Sequence, residues 1–250
     1  MTGQVREGVG TAYRLNEVQM NGDTGAFRIR DILATKGADG KYPARELGAS
    51  VAGVILKMRW RLYKYVEDAD GRGSSISTTE FDNKNSDQVI VFPSKDRGLA
   101  INMKERYSLG MQRVLYVYLP GEHEVVRLFV KATGLSSDKN PNKEKGLFEY
   151  VDEFNKTNTM MDEFITTFSG VHREHPQNPR KNHYGMTFTI GRQLTESEQE
   201  KVHTLIQEVH DKTTASKMPV EAPKPVAEND LDVETESTAI ETPNPEDIPF

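Results

Sequence analysis

The chain of 250 residues contains no cysteine. Disulfide staples, thiolate metal centres and cysteine nucleophiles are therefore excluded, and the composition suits a reducing cytoplasm. Tryptophan occurs once, at Trp60, so a single indole has to be assigned to a core or to a surface. No apolar run approaches the ~18 residues that a membrane span needs. Residues 1–10 lack the basic region and apolar stretch of a secretory signal. A cytoplasmic protein without membrane association is expected. No internal repeat is present.

Catalytic signatures are equally sparse. Residues 37–41 lack the full phosphate-cradle pattern, Gly8-Val9-Gly10 has no third glycine at the required spacing, and no serine lies in a G-x-S-x-G elbow. His172, His175 and His183 have an H-x-x-H spacing, with Glu174 the only nearby carboxylate, which is a weak basis for a metal. The expectation is a protein that is not an enzyme, with no catalytic residue, no metal and no cofactor.

Charge is present but unevenly placed. The formal net charge is −6, yet residues 213–250 hold two lysines against nine acids, which leaves residues 1–212 close to neutral. Within that body, residues 27–65 hold nine lysines and arginines against three acids. A basic stretch on a near-neutral body, followed by an acidic tail, points toward nucleic acid as a partner.

The first half has strand periodicity. Residues 25–33 alternate, and residues 54–65 alternate more strictly. Val54, Leu56, Met58, Trp60 and Leu62 are predicted on one face, with Lys57, Arg59, Arg61, Tyr63 and Tyr65 on the other. Twelve residues at ~3.3 Å each give a strand of roughly 40 Å, which must coil or bend. Further short strands are expected at 75–81, 88–92, 113–119 and 124–132, separated by turn-rich segments such as 68–71 and 119–121, a pattern that suggests a barrel or a sandwich. The second half changes period. Residues 147–168 suggest two helices broken near Asn158, and residues 184–191 return to a strand. Thr195-Glu196-Ser197-Glu198 forms a capping box that opens a helix to about Asp211, with Val202, Leu205, Ile206 and Val209 as its buried stripe. From 213 to 245 the chain is rich in Pro, Thr, Glu and Ala, without aromatics, and is expected to be disordered.

The strand face gives the first functional signal. Lys57, Arg59, Arg61, Tyr63 and Tyr65 project basic and aromatic groups to one side. Arg127, Phe129 and Lys131 repeat the arrangement on a second strand, and Arg28 and Arg30 extend it on a third. Single-stranded DNA offers phosphates and unstacked bases together, so such a face matches both features. Trp60 falls on the opposite, apolar face and is assigned to the core.

The second signal is the closing segment Glu246-Asp247-Ile248-Pro249-Phe250. A polar tail has no packing reason to carry Ile-Pro-Phe. A recognition tip does: the phenylalanine enters an apolar pocket, the proline limits entropy loss, and the acids steer toward a basic surface. In these residues the chain resembles the bacterial single-stranded DNA-binding protein family, whose members close in an acidic tip ending Asp-Ile-Pro-Phe. The resemblance covers the tip and the general plan of ordered body and acidic tail. The body is longer than the family's usual oligonucleotide-binding (OB) domain and divergent, as in a phage-type protein.

The resemblance implies recruitment of DNA replication, repair and recombination proteins through residues 246–250. The expected fold is α+β: an OB-like antiparallel β-barrel elaborated by C-terminal helices over 1–212, then a disordered acidic linker over 213–245 and the partner-binding tip. The expected function is protection of single-stranded DNA with little sequence preference, in the cytoplasm at the nucleoid. Members of the family often join several barrels, so a homo-oligomer is among the expectations. Two alternatives are an adaptor that uses the tip without touching DNA, and a single-strand annealing recombination protein.

Overall fold

The computed structural model describes residues 13–67, 73–82, 90–91, 97–136, 144–174 and 183–215. Residues 216–245 of the expected linker, the tip and His175 lie outside these residues, whereas Thr213, Thr214 and Ala215, expected in the disordered linker, are helical. The strands are β1 (Glu17–Met20), β2 (Phe27–Arg30), β3 (Ala44–Gly48), β4 (Ser50–Glu67), β5 (Gly73–Ser77), β6 (Ile90–Val91), β7 (Arg97–Gly98), β8 (Gly110–Leu119), β9 (Glu124–Val130), β10 (Phe164–Arg173) and β11 (His183–Gln193). The α-helices are α1 (Ala100–Tyr107), α2 (Leu147–Thr157) and α3 (Glu196–Ala215). Eight strands run in the order β11-β10-β4-β8-β9-β1-β2-β3, with β5 paired to the far end of β4; β6 and β7 form a separate pair. Neighbours are antiparallel except β1 and β9, so the sheet is mixed.

The sheet curls strongly into a half-barrel. One core cluster joins Phe27 of β2 to Phe168 and Phe188 at the other end of the strand order, which places that cluster on the concave side. At one end the two margins meet: the Tyr184 amide donates to the Gly22 carbonyl at 2.8 Å. Gly170 approaches Gly25 so closely that an added Cβ would lie 2.3 Å from the Gly25 carbonyl oxygen. A side chain at 170 would therefore push the margins apart. Helices α1 and α2 fill the concavity through Ala100, Met103, Leu147, Tyr150 and Phe154. Helix α3 covers part of the outer face, where Val202, Val209 and the preceding Leu194 pack on Val54, Leu56, Val114, Tyr116 and Tyr118.

The long strand β4 spans 18 residues and links the two halves of the fold. Its start pairs with β10, its middle with β8 and its end with β5. Gly53 permits the close crossing, since a Cβ there would meet the Val117 side chain at 2.5 Å and the Tyr118 carbonyl at 2.8 Å. A register shift between Ile55 and Lys57 exchanges the faces. Met58, Trp60 and Leu62 face the concave core as expected, but Val54 and Leu56 lie under α3 on the outer side. The apolar stripe expected over residues 54–62 is thus two stripes on opposite faces.

The second helix expected before residue 168 is a strand instead. Helix α2 ends where anticipated, with Asn158 in the left-handed region at φ 53°. Residues 164–173 then form β10, with β-branched Ile165, Thr166 and Thr167 at its start. The capping box is present: the Thr195 amide donates to the Glu198 carboxylate at 2.8 Å, and the Glu198 amide to the Thr195 hydroxyl at 3.4 Å. Among the described residues, no helix is long and apolar enough to cross a membrane.

Candidate functional site

Beyond the C-terminal end of α3, the outer face opens into a groove of about 380 Å³. Its walls come from the segment before β1 (Tyr13, Arg14), from β1 (Glu17, Gln19), from β2 and the chain after it (Arg30, Ile32, Tyr42), and from Arg61, Ser77 and Arg127. Strand registry sets this grouping. Glu17 stands opposite Arg30 across β1–β2 and opposite Arg127 across β1–β9. Side chains at paired positions share a face, so the three converge. Four arginines and two tyrosines meet one carboxylate among the lining residues.

The electrostatics are layered. At the floor, Arg127 pairs with Glu17 at 2.9 Å and with Glu80 at 3.3 Å. Glu80 also accepts a hydrogen bond from the Tyr116 hydroxyl at 2.5 Å, and burial together with Glu80 drives the Tyr116 phenol far above its ordinary pKa. The Arg61 guanidinium lies over the Phe129 ring at 3.6 Å and donates from Nε to Gln112 at 2.8 Å. Burial lowers its pKa to about 10, which still leaves it cationic at neutral pH. Nearer the opening, Arg14 is exposed, and the Tyr42 ring is approached by Lys36 at 5.0 Å and Arg30 at 5.9 Å. Tyr13 lies parallel to Tyr116, with centroids 6.5 Å apart, and Lys212 of α3 faces it at 5.0 Å. Burial raises the Tyr13 phenol's pKa.

Of the residues expected on the DNA-binding face, Arg30, Arg61 and Arg127 come together in this groove. Lys57 shares the outer face but donates to the Thr213 hydroxyl at 2.8 Å, beneath the end of α3. Arg59 is buried and held by Asp82 at 2.8 Å and by the Glu80 carbonyl at 2.8 Å. Phe129 is buried beneath Arg61. Tyr63 is half-buried, with its ring above Gly110. Arg28, Tyr65 and Lys131 are exposed and are not part of the groove lining. Trp60 is buried on the concave side, beneath the Arg113 guanidinium at 4.2 Å.

The groove residues that periodicity missed are Tyr13, Arg14, Glu17, Gln19 and Tyr42. They lie on or beside short strands and belong to no alternating run that the sequence displays. His172 stands in register with Tyr184, and Arg173 with His183. Among the described residues, no group of three or more histidines, aspartates or glutamates is placed to hold a metal. Neither a family model nor a curated protein nor a solved structure matches the chain.

Proposed function

We propose that this protein binds single-stranded DNA along the outer-face groove with little sequence preference, and that it acts as a binding protein without catalysis. The supporting observation is the convergence of Arg14, Arg30, Arg61 and Arg127 with Tyr13 and Tyr42 on one solvent-facing groove. Guanidiniums pair with phosphates whatever the base, and tyrosine rings accept any base face. The strong curl supports an OB-like barrel as the finer description of the body.

Tyr42 is the test residue, because its ring borders the groove and is not part of either core cluster. Tyr42→Ala should weaken binding of a labelled thymidine oligonucleotide by about 1–3 kcal/mol, while Tyr65→Ala, outside the groove, should leave it near wild type. Equal losses in both variants would move the interface away from the groove.

We assign to residues 246–250 the recruitment of replication, repair or recombination proteins, on the strength of the Asp-Ile-Pro-Phe motif. Phe250→Ala should abolish capture of such a partner by the full chain without altering oligonucleotide affinity. Retained capture would refute the assignment. A cytoplasmic, nucleoid-associated location goes with this proposal. The internal engagement of Arg59 and Phe129 favours the adaptor as the second reading; it predicts partner capture with no oligonucleotide binding.

A further inference from the structure

Glu17 lies within the groove, with its side chain 14% exposed. Three donors converge on its carboxylate. Arg127 Nη2 reaches Oε1 at 2.9 Å, Arg30 Nη1 reaches Oε2 at 3.6 Å, and Gln19 Nε2 reaches Oε2 at 3.5 Å. The backbone enforces the arrangement, since Glu17 is in register with both arginines. Two guanidiniums and an amide around one anion form a donor set suited equally to a phosphodiester.

We infer that Glu17 is an internal counter-anion: its carboxylate holds the position of a phosphate group in the free protein and is displaced when a polynucleotide binds. The inference rests on the proposal that the groove binds single-stranded DNA. Any anion entering the groove meets the repulsion of Glu17 and competes with it for Arg30 and Arg127. An isolated phosphate can gain at most the donors that Glu17 gives up. A polynucleotide also reaches Arg14 and Arg61 in the same event, and linked contacts reinforce one another. Glu17 therefore sets a threshold that every anion must overcome, which a polynucleotide meets with four arginines and inorganic phosphate with two.

The test compares wild-type full-length protein with Glu17→Gln, Glu17→Asp and Glu122→Gln, using a labelled thymidine oligonucleotide and inorganic phosphate as competitor. Glu122 pairs with Arg45 away from the groove, so its variant controls for the loss of one negative charge. Glu17→Gln should tighten oligonucleotide binding roughly three- to tenfold and make phosphate a better competitor. Glu17→Asp, whose shorter side chain loosens the same contacts at unchanged charge, should shift both readouts in the same direction by less. It also serves if Glu17→Gln folds poorly. Equal tightening by Glu122→Gln, or unchanged or weaker binding in both Glu17 variants while wild type binds, would overturn the inference. If wild type itself fails to bind, the groove proposal falls and takes the inference with it.

Discussion

At the residue scale, a cation that borders a groove and a cation committed to an internal carboxylate differ in consequence even when they alternate on the same strand. Arg59 and Arg61 are two residues apart on β4. Arg61 borders the groove over Phe129, whereas Arg59 has 6% side-chain exposure beside Glu80 and Asp82. Removing one member of a buried ion network leaves its partners desolvated and uncompensated. Arg59→Met should therefore cost about 3–5 kcal/mol in urea unfolding, while the folded protein binds oligonucleotide nearly as wild type does. A large loss of affinity at unchanged stability would place Arg59 in the interface instead. The sequence could not separate these two arginines. Their spacing and neighbours look alike, and the decisive carboxylates, Glu80 and Asp82, arrive from a different stretch of chain.

At the element scale, periodicity revealed β4, β8, β9, β11 and α3, and the residues responsible are those that packing demands. It failed where one residue satisfied two patterns or hid from both. Phe164 and Phe168 are four apart, a spacing that suits a helix stripe and a strand face alike. Thr166 between them is fully buried, its hydroxyl 2.6 Å from that of Tyr150, so a polar residue interrupts the apolar alternation of β10. In β4 the shift after Ile55 moved Val54 and Leu56 to the outer face, and a bulge leaves no compositional mark. Helix α1 covers only eight residues, with no side-chain cap at Leu99, and gave little signal.

Helix α3 carries a pH dependence through its cap. Arg192 and the Thr195 backbone amide hold the Glu198 carboxyl at about 2, below its ordinary value. A depressed carboxyl stabilises the fold above its unfolded pKa of about 4.3 and loses that contribution as pH falls through about 2. Glu198→Gln should thus lower the melting temperature at neutral pH, and the difference from wild type should shrink toward zero as pH approaches 2. A difference that persists undiminished in acid would mean that Glu198 acts by shape and not by charge.

At the scale of the whole molecule, the fold brings together basic residues that are distant in sequence. Arg14 precedes the first strand, Arg30, Arg61 and Arg127 lie on three different strands, and the curl with its β1–β9 pairing places them around one opening. Composition revealed the basic stretch but not the groove, because Tyr13 and Tyr42 enter from connections. Trp60, on the concave side, is a poor reporter for this face, so the observation should come from the nucleic acid.

The most direct measurement is the fluorescence anisotropy of a labelled thymidine oligonucleotide titrated with the full-length protein at several salt concentrations between about 50 and 200 mM. Three or four groove arginines meeting phosphates predict that log K falls linearly with log[salt], with a slope of about −2 to −3, and Arg30→Gln should flatten the slope by about 0.7. No rise in anisotropy at any salt concentration, or binding indifferent to salt, would contradict the account.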